Sequence, residues 1–138
     1  MKYIFYSFLF LFFISCDKKQ EQLTLETGIS HNLAKYRKQQ IADVVYNLNF
    51  KIPEEKTSPI PSNLDLNFTV NDLKNDVYLD FNEETSKLKS IKVNGETSTI
   101  NHQKEHIIID KTNLVLGANQ IEILFDAGEK SLNRNSEF

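Results

Sequence analysis

One cysteine and no tryptophan set the first limits on this sequence. A lone thiol, Cys16, cannot close a disulfide within the chain, and Cys-rich zinc sites are excluded with it. Without tryptophan, any ring for sugar stacking has to come from residues such as Tyr36, Tyr46 and Tyr78. Basic residues are not in excess: 16 Lys and Arg stand against 19 Asp and Glu, a net charge of −3, which gives no reason to expect nucleic acid as a partner. Catalytic signatures are also missing. There is no G-x-S-x-G, no P-loop and no Gly-rich dinucleotide turn. Glu54-Glu55 and Glu83-Glu84 are paired carboxylates, but both pairs sit in polar segments that read as loops. With no buried partner for them, general acid/base work has no support there.

The chain also lacks an apolar run long enough to span a bilayer. Tyr3 to Ile14 is apolar apart from Ser7, and its 12 residues fall short of the roughly 20 a helix needs to cross. With Lys2 before it, this run fits a secretory signal peptide over residues 1–15. Phe13-Ile14-Ser15-Cys16 resembles a bacterial lipobox, which makes Cys16 the expected lipidation site and new N-terminus. Phe13 stands where leucine is usual. Removing Lys2 with the leader leaves 15 basic against 19 acidic residues, a net charge of −4. Residues 16–29 then read as a flexible tether, since Asp17 to Thr27 is polar, charged and aperiodic.

From residue 30 onward the pattern is that of a folded domain. Ser30 can cap a short helix through about Gln40, with Lys35, Arg37 and Lys38 on a solvated face and His31 exposed at its start. The period then changes to two. Val44, Tyr46, Leu48, Phe50 and Ile52 alternate with mostly polar residues and predict a half-buried strand. Pro53, Pro59 and Pro61 interrupt. Leu64, Leu66, Phe68 and Val70 repeat the alternation, and Val77, Leu79 and Phe81 form a third set. Leu88 to Val93 leads into Asn94-Gly95, the strongest short hairpin signal, with Thr97 to Ile100 as the return arm. Ile107 to Ile109, Leu114 to Leu116 and Ile121 to Phe125 complete the series, with Gly117-Ala118-Asn119 as a turn. Seven or eight short strands predict an all-β domain, a β-sandwich or curled antiparallel sheet, over residues 30–138.

His102 to His106 reads HQKEH and fits the zinc-peptidase pattern H-x-x-E-H. That motif needs a helix to bring i and i+4 onto one face. Here it lies among β-type residues. In an extended segment the two Cα atoms are about 13 Å apart, too far to share an ion bound at about 2.0 Å. Both histidines are therefore expected as solvated turn residues, with no metal site and no catalytic residue.

LAKYRKQQIADVVYNLNFKIP (Leu33 to Pro53) resembles the opening of the aminopeptidase N family of zinc metallopeptidases. Further phrases agree in order: YLDF at Tyr78 to Phe81, IKVNGE at Ile91 to Glu96, EHIII at Glu105 to Ile109, and NQIEILFDAGEKSLNR at Asn119 to Arg134. Together they extend over roughly Ile29 to Phe138. The resemblance implies the β-rich N-terminal domain that precedes a thermolysin-like catalytic domain. The family's H-E-x-x-H zinc site and its Gly-x-Met-Glu-Asn substrate segment are absent from this sequence, so no catalytic or zinc-binding residue carries over. What the resemblance implies is a scaffold with no cofactor of its own, zinc belonging to the full-length family. Its expected partners are that catalytic domain and, through lipid on Cys16, the membrane of a bacterial cell envelope. The β-domain is expected to be incomplete at its C-terminus. The competing expectation is a free-standing β-sandwich lipoprotein that binds a glycan or a protein.

Overall fold

A computed structural model describes residues 23–55 and 57–128. The leader, Cys16 and the segment after Gly128 lie outside the described residues. Among the described residues one α-helix, α1 (His31–Gln40), precedes eight strands: β1 (Ile41–Phe50), β2 (Ile60–Val70), β3 (Val77–Asp80), β4 (Leu88–Val93), β5 (Glu96–Ser98), β6 (His102–Gln103), β7 (His106–Ile109) and β8 (Gly117–Ala127), with short 3-10 turns at Thr85–Lys87 and Lys111–Asn113. They form two antiparallel sheets, one ordered β1-β2-β8-β4-β5 and the other β3-β7-β6. The all-β, sandwich-like class expected from the alternation is the class observed.

Ser30 starts α1 as expected, its side chain accepting from the Leu33 amide at 3.2 Å. The helix stops because Ile41 is already extended, and the chain passes into β1 with no loop between. The core lies between the sheets. Leu66, Phe68 and Val70 of β2, Ile91 and Val93 of β4, and Ile121 and Ile123 of β8 meet Val77 of β3 and Ile107 and Ile109 of β7. Alternation along each strand sends these residues to one face and leaves polar neighbours on the other. The Asn94-Gly95 turn has φ of 52° and 86°, the two positive values a two-residue hairpin loop demands. Its return arm is β5, one residue earlier and shorter than expected.

Two expectations need correction. β1 is a strand, but it is not half-buried: Val44, Val45, Tyr46, Leu48 and Phe50 are all exposed, Tyr46 at 55%. The pairings of Tyr46 with Leu66 and of Leu48 with Leu64 place its even residues on the core side of the sheet. β1 is the edge strand, and of its residues Ile41 alone packs against the core cluster. A one-residue bulge between Ala42 and Val45, with Asp43 at φ 53°, also shifts Val44 out of phase.

The second correction concerns Leu114 to Asn119. Leu114 to Leu116 is a loop, with Val115 and Leu116 exposed, while Gly117 to Asn119 begins β8. The buried Asn119 amide explains the exchange. Its Oδ1 accepts from Val115 N at 2.9 Å, and its Nδ2 donates to Val115 O at 2.7 Å and Gly117 O at 2.9 Å. The side chain thus satisfies loop backbone that would otherwise need a strand partner.

Candidate functional site

HQKEH folds as a tight hairpin. β6 and β7 are joined by Lys104 and Glu105, which have φ of 50° and 67°, so a two-residue turn reverses the chain without glycine or asparagine. His102 pairs with Ile107, and Gln103 pairs with His106. Cross-strand partners share a face and neighbours along a strand do not, so the two histidines point to opposite sides of the ladder. The extended spacing expected from sequence is therefore overturned. Among the described residues no group of three or more His, Cys, Asp or Glu side chains is placed to hold a metal ion.

The histidines are not solvated either. His102 is half-buried, its Nδ1 2.8 Å from Thr85 Oγ1 and its Nε2 2.9 Å from Phe81 O, with its ring edge-on to Phe81. His106 is 1% exposed. Its Nδ1 lies 2.9 Å from Asp80 Oδ1, directly across the β3–β7 ladder. Its Nε2 faces two backbone carbonyls, Glu26 O at 3.1 Å and Gly28 O at 2.9 Å. Carbonyls only accept, so Nε2 donates. On the other side, Nδ1 can donate to Asp80 or accept from Arg37 Nη2 at 3.4 Å. The ring finds a partner at both nitrogens in either protonation state.

Arg37 completes the cluster and corrects another expectation. Its side chain is only 17% exposed and pairs with both oxygens of Asp80, Nη1 to Oδ2 at 2.9 Å and Nη2 to Oδ1 at 2.7 Å. It does not belong to a solvated basic face. The fork geometry suits guanidinium and carboxylate, which makes this the strongest kind of surface ion pair. Burial pushes the Asp80 carboxyl up, but the hydrogen bonds and charges of Arg37, then those of His106, outweigh it and hold the carboxyl below its ordinary value. Two further contacts fasten the same corner. Lys104 Nζ donates to Leu25 O at 2.7 Å, and the buried Gln40 amide donates to Asn75 O at 2.8 Å. Helix α1, strands β3 and β7 and the segment Leu25–Gly28 are thereby tied at one point. The last residues of the tether expected over 16–29 lie against the domain here.

The other candidates do not converge. Cys16 lies outside the described residues. His31, Glu54, Glu55 and Glu84 are exposed, and the Glu83 side chain lies against Gly128. A shallow groove of about 390 Å³ crosses the outer face of the larger sheet, lined by Asp43, Asn67, Thr69 and Gln120 among others. Its polar groups bond to near neighbours: Thr69 donates to Asp43 at 3.0 Å and Gln120 to Asp65 at 2.9 Å. Tyr36, Tyr46 and Tyr78 do not line it. The Arg37–Asp80–His106 cluster is a clamp whose hydrogen bonds run to other parts of the chain, with the buried Arg37 Nε left without a partner among the described residues.

Compared with known proteins, the chain matches no family model, no curated protein and no solved structure. Among the described residues no helix is long and apolar enough to cross a membrane.

Proposed function

We propose that this chain is the non-catalytic N-terminal scaffold domain of a lipid-anchored, zinc aminopeptidase-like protein. The observation that carries the reading is where the resembling phrases meet. LAKYR supplies Arg37, YLDF supplies Asp80 and EHIII supplies His106, and those three side chains form one clamp. The phrases that resemble the aminopeptidase N family thus contribute their polar residues to holding elements together. The motif that looks like a zinc site does not fit the ion, because its histidines face opposite ways.

In this reading the parent protein removes N-terminal residues from peptides with zinc-activated water, in a catalytic domain that follows. Carboxylates of that domain hold the substrate amine. The present chain packs against it and helps to enclose the peptide cleft. Lipid on Cys16 holds the assembly at the membrane of the bacterial envelope.

Reading the coding sequence past Phe138 tests the assignment. An H-E-x-x-H string with a glutamate one helix later is the expected result. A stop codon at that point in independent isolates sinks it and favours the free-standing module. Fractionation tests the anchor separately: Cys16→Ser should move the protein from membranes to the soluble fraction.

A further inference from the structure

The edge strand β1 carries a pattern that matches itself. Lys51 N donates to Pro61 O at 2.9 Å, with Phe50 opposite Ser62 and Asn49 opposite Asn63. Backbone bonds alternate along an antiparallel strand, so the odd residues Val45, Asn47 and Asn49 spend their N–H and C=O groups on β2, as Lys51 spends its N–H, Pro61 having none to return. Tyr46, Leu48 and Phe50 then turn theirs to the open edge. The same three residues place their side chains on the core side, where they are exposed at 55%, 47% and 50%. The Phe50 ring is fixed edge-on against Phe125, with centroids 6.5 Å apart.

Edge strands are ordinarily protected by charge, proline or a bulge along their length. Between Val44 and Phe50 this strand has neither charge nor proline, and its bulge and its charges lie at the ends. The regular stretch runs from Val45, just after the bulge, to Lys51, just before Ile52-Pro53. Its midpoint is Leu48.

We propose that β1 is a self-association edge, pairing antiparallel with β1 of a second copy about a two-fold axis at Leu48. In that register Leu48 faces Leu48, Tyr46 faces Phe50 of the other copy, and Asn47 faces Asn49. Every outward backbone group of Tyr46, Leu48 and Phe50 gains a partner, about six hydrogen bonds in all. The apolar side chains of both copies join into one strip continuous with Leu64 and Leu66. Charge agrees with the antiparallel sense. Asp43 and Lys51 stand at opposite ends, so each Lys51 comes beside the other copy's bulge and its Asp43. A parallel pairing would bring like charges together.

The test uses the full chain with Cys16→Ser, so that any introduced cysteine is the only thiol. Sedimentation at up to about 100 µM protein should show a concentration-dependent dimer, as mass action requires. Leu48→Lys puts two ammonium groups face to face at the axis and should weaken the dimer at least about tenfold. Leu48→Cys should oxidise to a self-linked dimer, since paired Cα atoms at about 5.5 Å suit a disulfide. Tyr46→Cys alone should not link, but should link when mixed with Phe50→Cys. A chain that stays monomeric, or a dimer indifferent to Leu48→Lys, overturns the proposal and leaves this edge to a different partner. Cross-linking at Tyr46→Cys alone overturns the register. None of these results depends on whether a catalytic domain follows.

Discussion

His106 and Asp80 are direct cross-strand partners, and their side chains meet at 2.9 Å on the face of the small sheet turned away from the core residues Ile107 and Ile109. The imidazole then reaches over to the Glu26 and Gly28 carbonyls, which makes His106 the bridge between the sheet and the segment before α1. Truncating it to alanine removes a fully buried ring and strands the charged pair beside it. His106→Ala should cost about 2–4 kcal/mol of stability. Amide exchange in residues 25–29 should rise more than in β8. Unchanged exchange there would show that the bridge does not hold that segment.

Acid should weaken the same corner. The Asp80 carboxyl titrates below its ordinary value in the folded chain, because Arg37 and His106 together outweigh the effect of burial. A folded value below the unfolded one, about 3.9, gives stability that is complete above the unfolded value. That stability is lost as pH falls through the folded value. Solvent screens a carboxylate that is 45% exposed, so its share should not exceed about 1 kcal/mol. Urea melts of wild type and Asp80→Asn between pH 6 and about pH 2.5 should converge on the acid side. Parallel curves would contradict the assignment.

How much of this was legible in the sequence depended on range. Ser30 as a helix cap, Asn94-Gly95 as a turn and the alternation of Leu64 to Val70 act over a few residues, and each appears where its chemistry places it. The exposure of β1 was not legible, because its alternation looks the same whether or not a second sheet covers it. Asn119 reads as a turn residue, and only the fold shows its amide serving a loop from within a strand. The clamp was hidden for a related reason. Arg37 and Asp80 are 43 residues apart and Asp80 and His106 are 26 apart, so strand register brings the second pair together and the placement of α1 brings Arg37 to them.

The HQKEH turn was hidden because it lacks turn chemistry, and that suggests a stabilising change. Glu105 holds φ 67°, a conformation that glycine adopts without its Cβ penalty. Glu105→Gly should raise stability by about 0.5–1 kcal/mol in equilibrium unfolding. Its carbonyl still accepts from Phe81 N at 2.8 Å, so the hairpin's main-chain contact is kept. A net loss would mean that the Glu105 side chain contributes more than the backbone strain costs.

Zinc binding offers a direct check on the motif. With its histidines on opposite faces, HQKEH should take up no stoichiometric zinc at micromolar free metal. Equilibrium dialysis of the full chain measures this. Bound zinc that disappears in the His102→Ala, His106→Ala double variant would overturn the hairpin assignment.

In the proposed scaffold reading, the role of Arg37, Asp80 and His106 is to hold elements together. A double-mutant cycle on Arg37→Ala and His106→Ala, read by urea unfolding, measures this most directly. Both residues act on the one carboxylate, so the cycle should show a coupling energy of about 0.5–1 kcal/mol. Coupling indistinguishable from zero, with each single change near neutral, would contradict the clamp and the scaffold reading built on it.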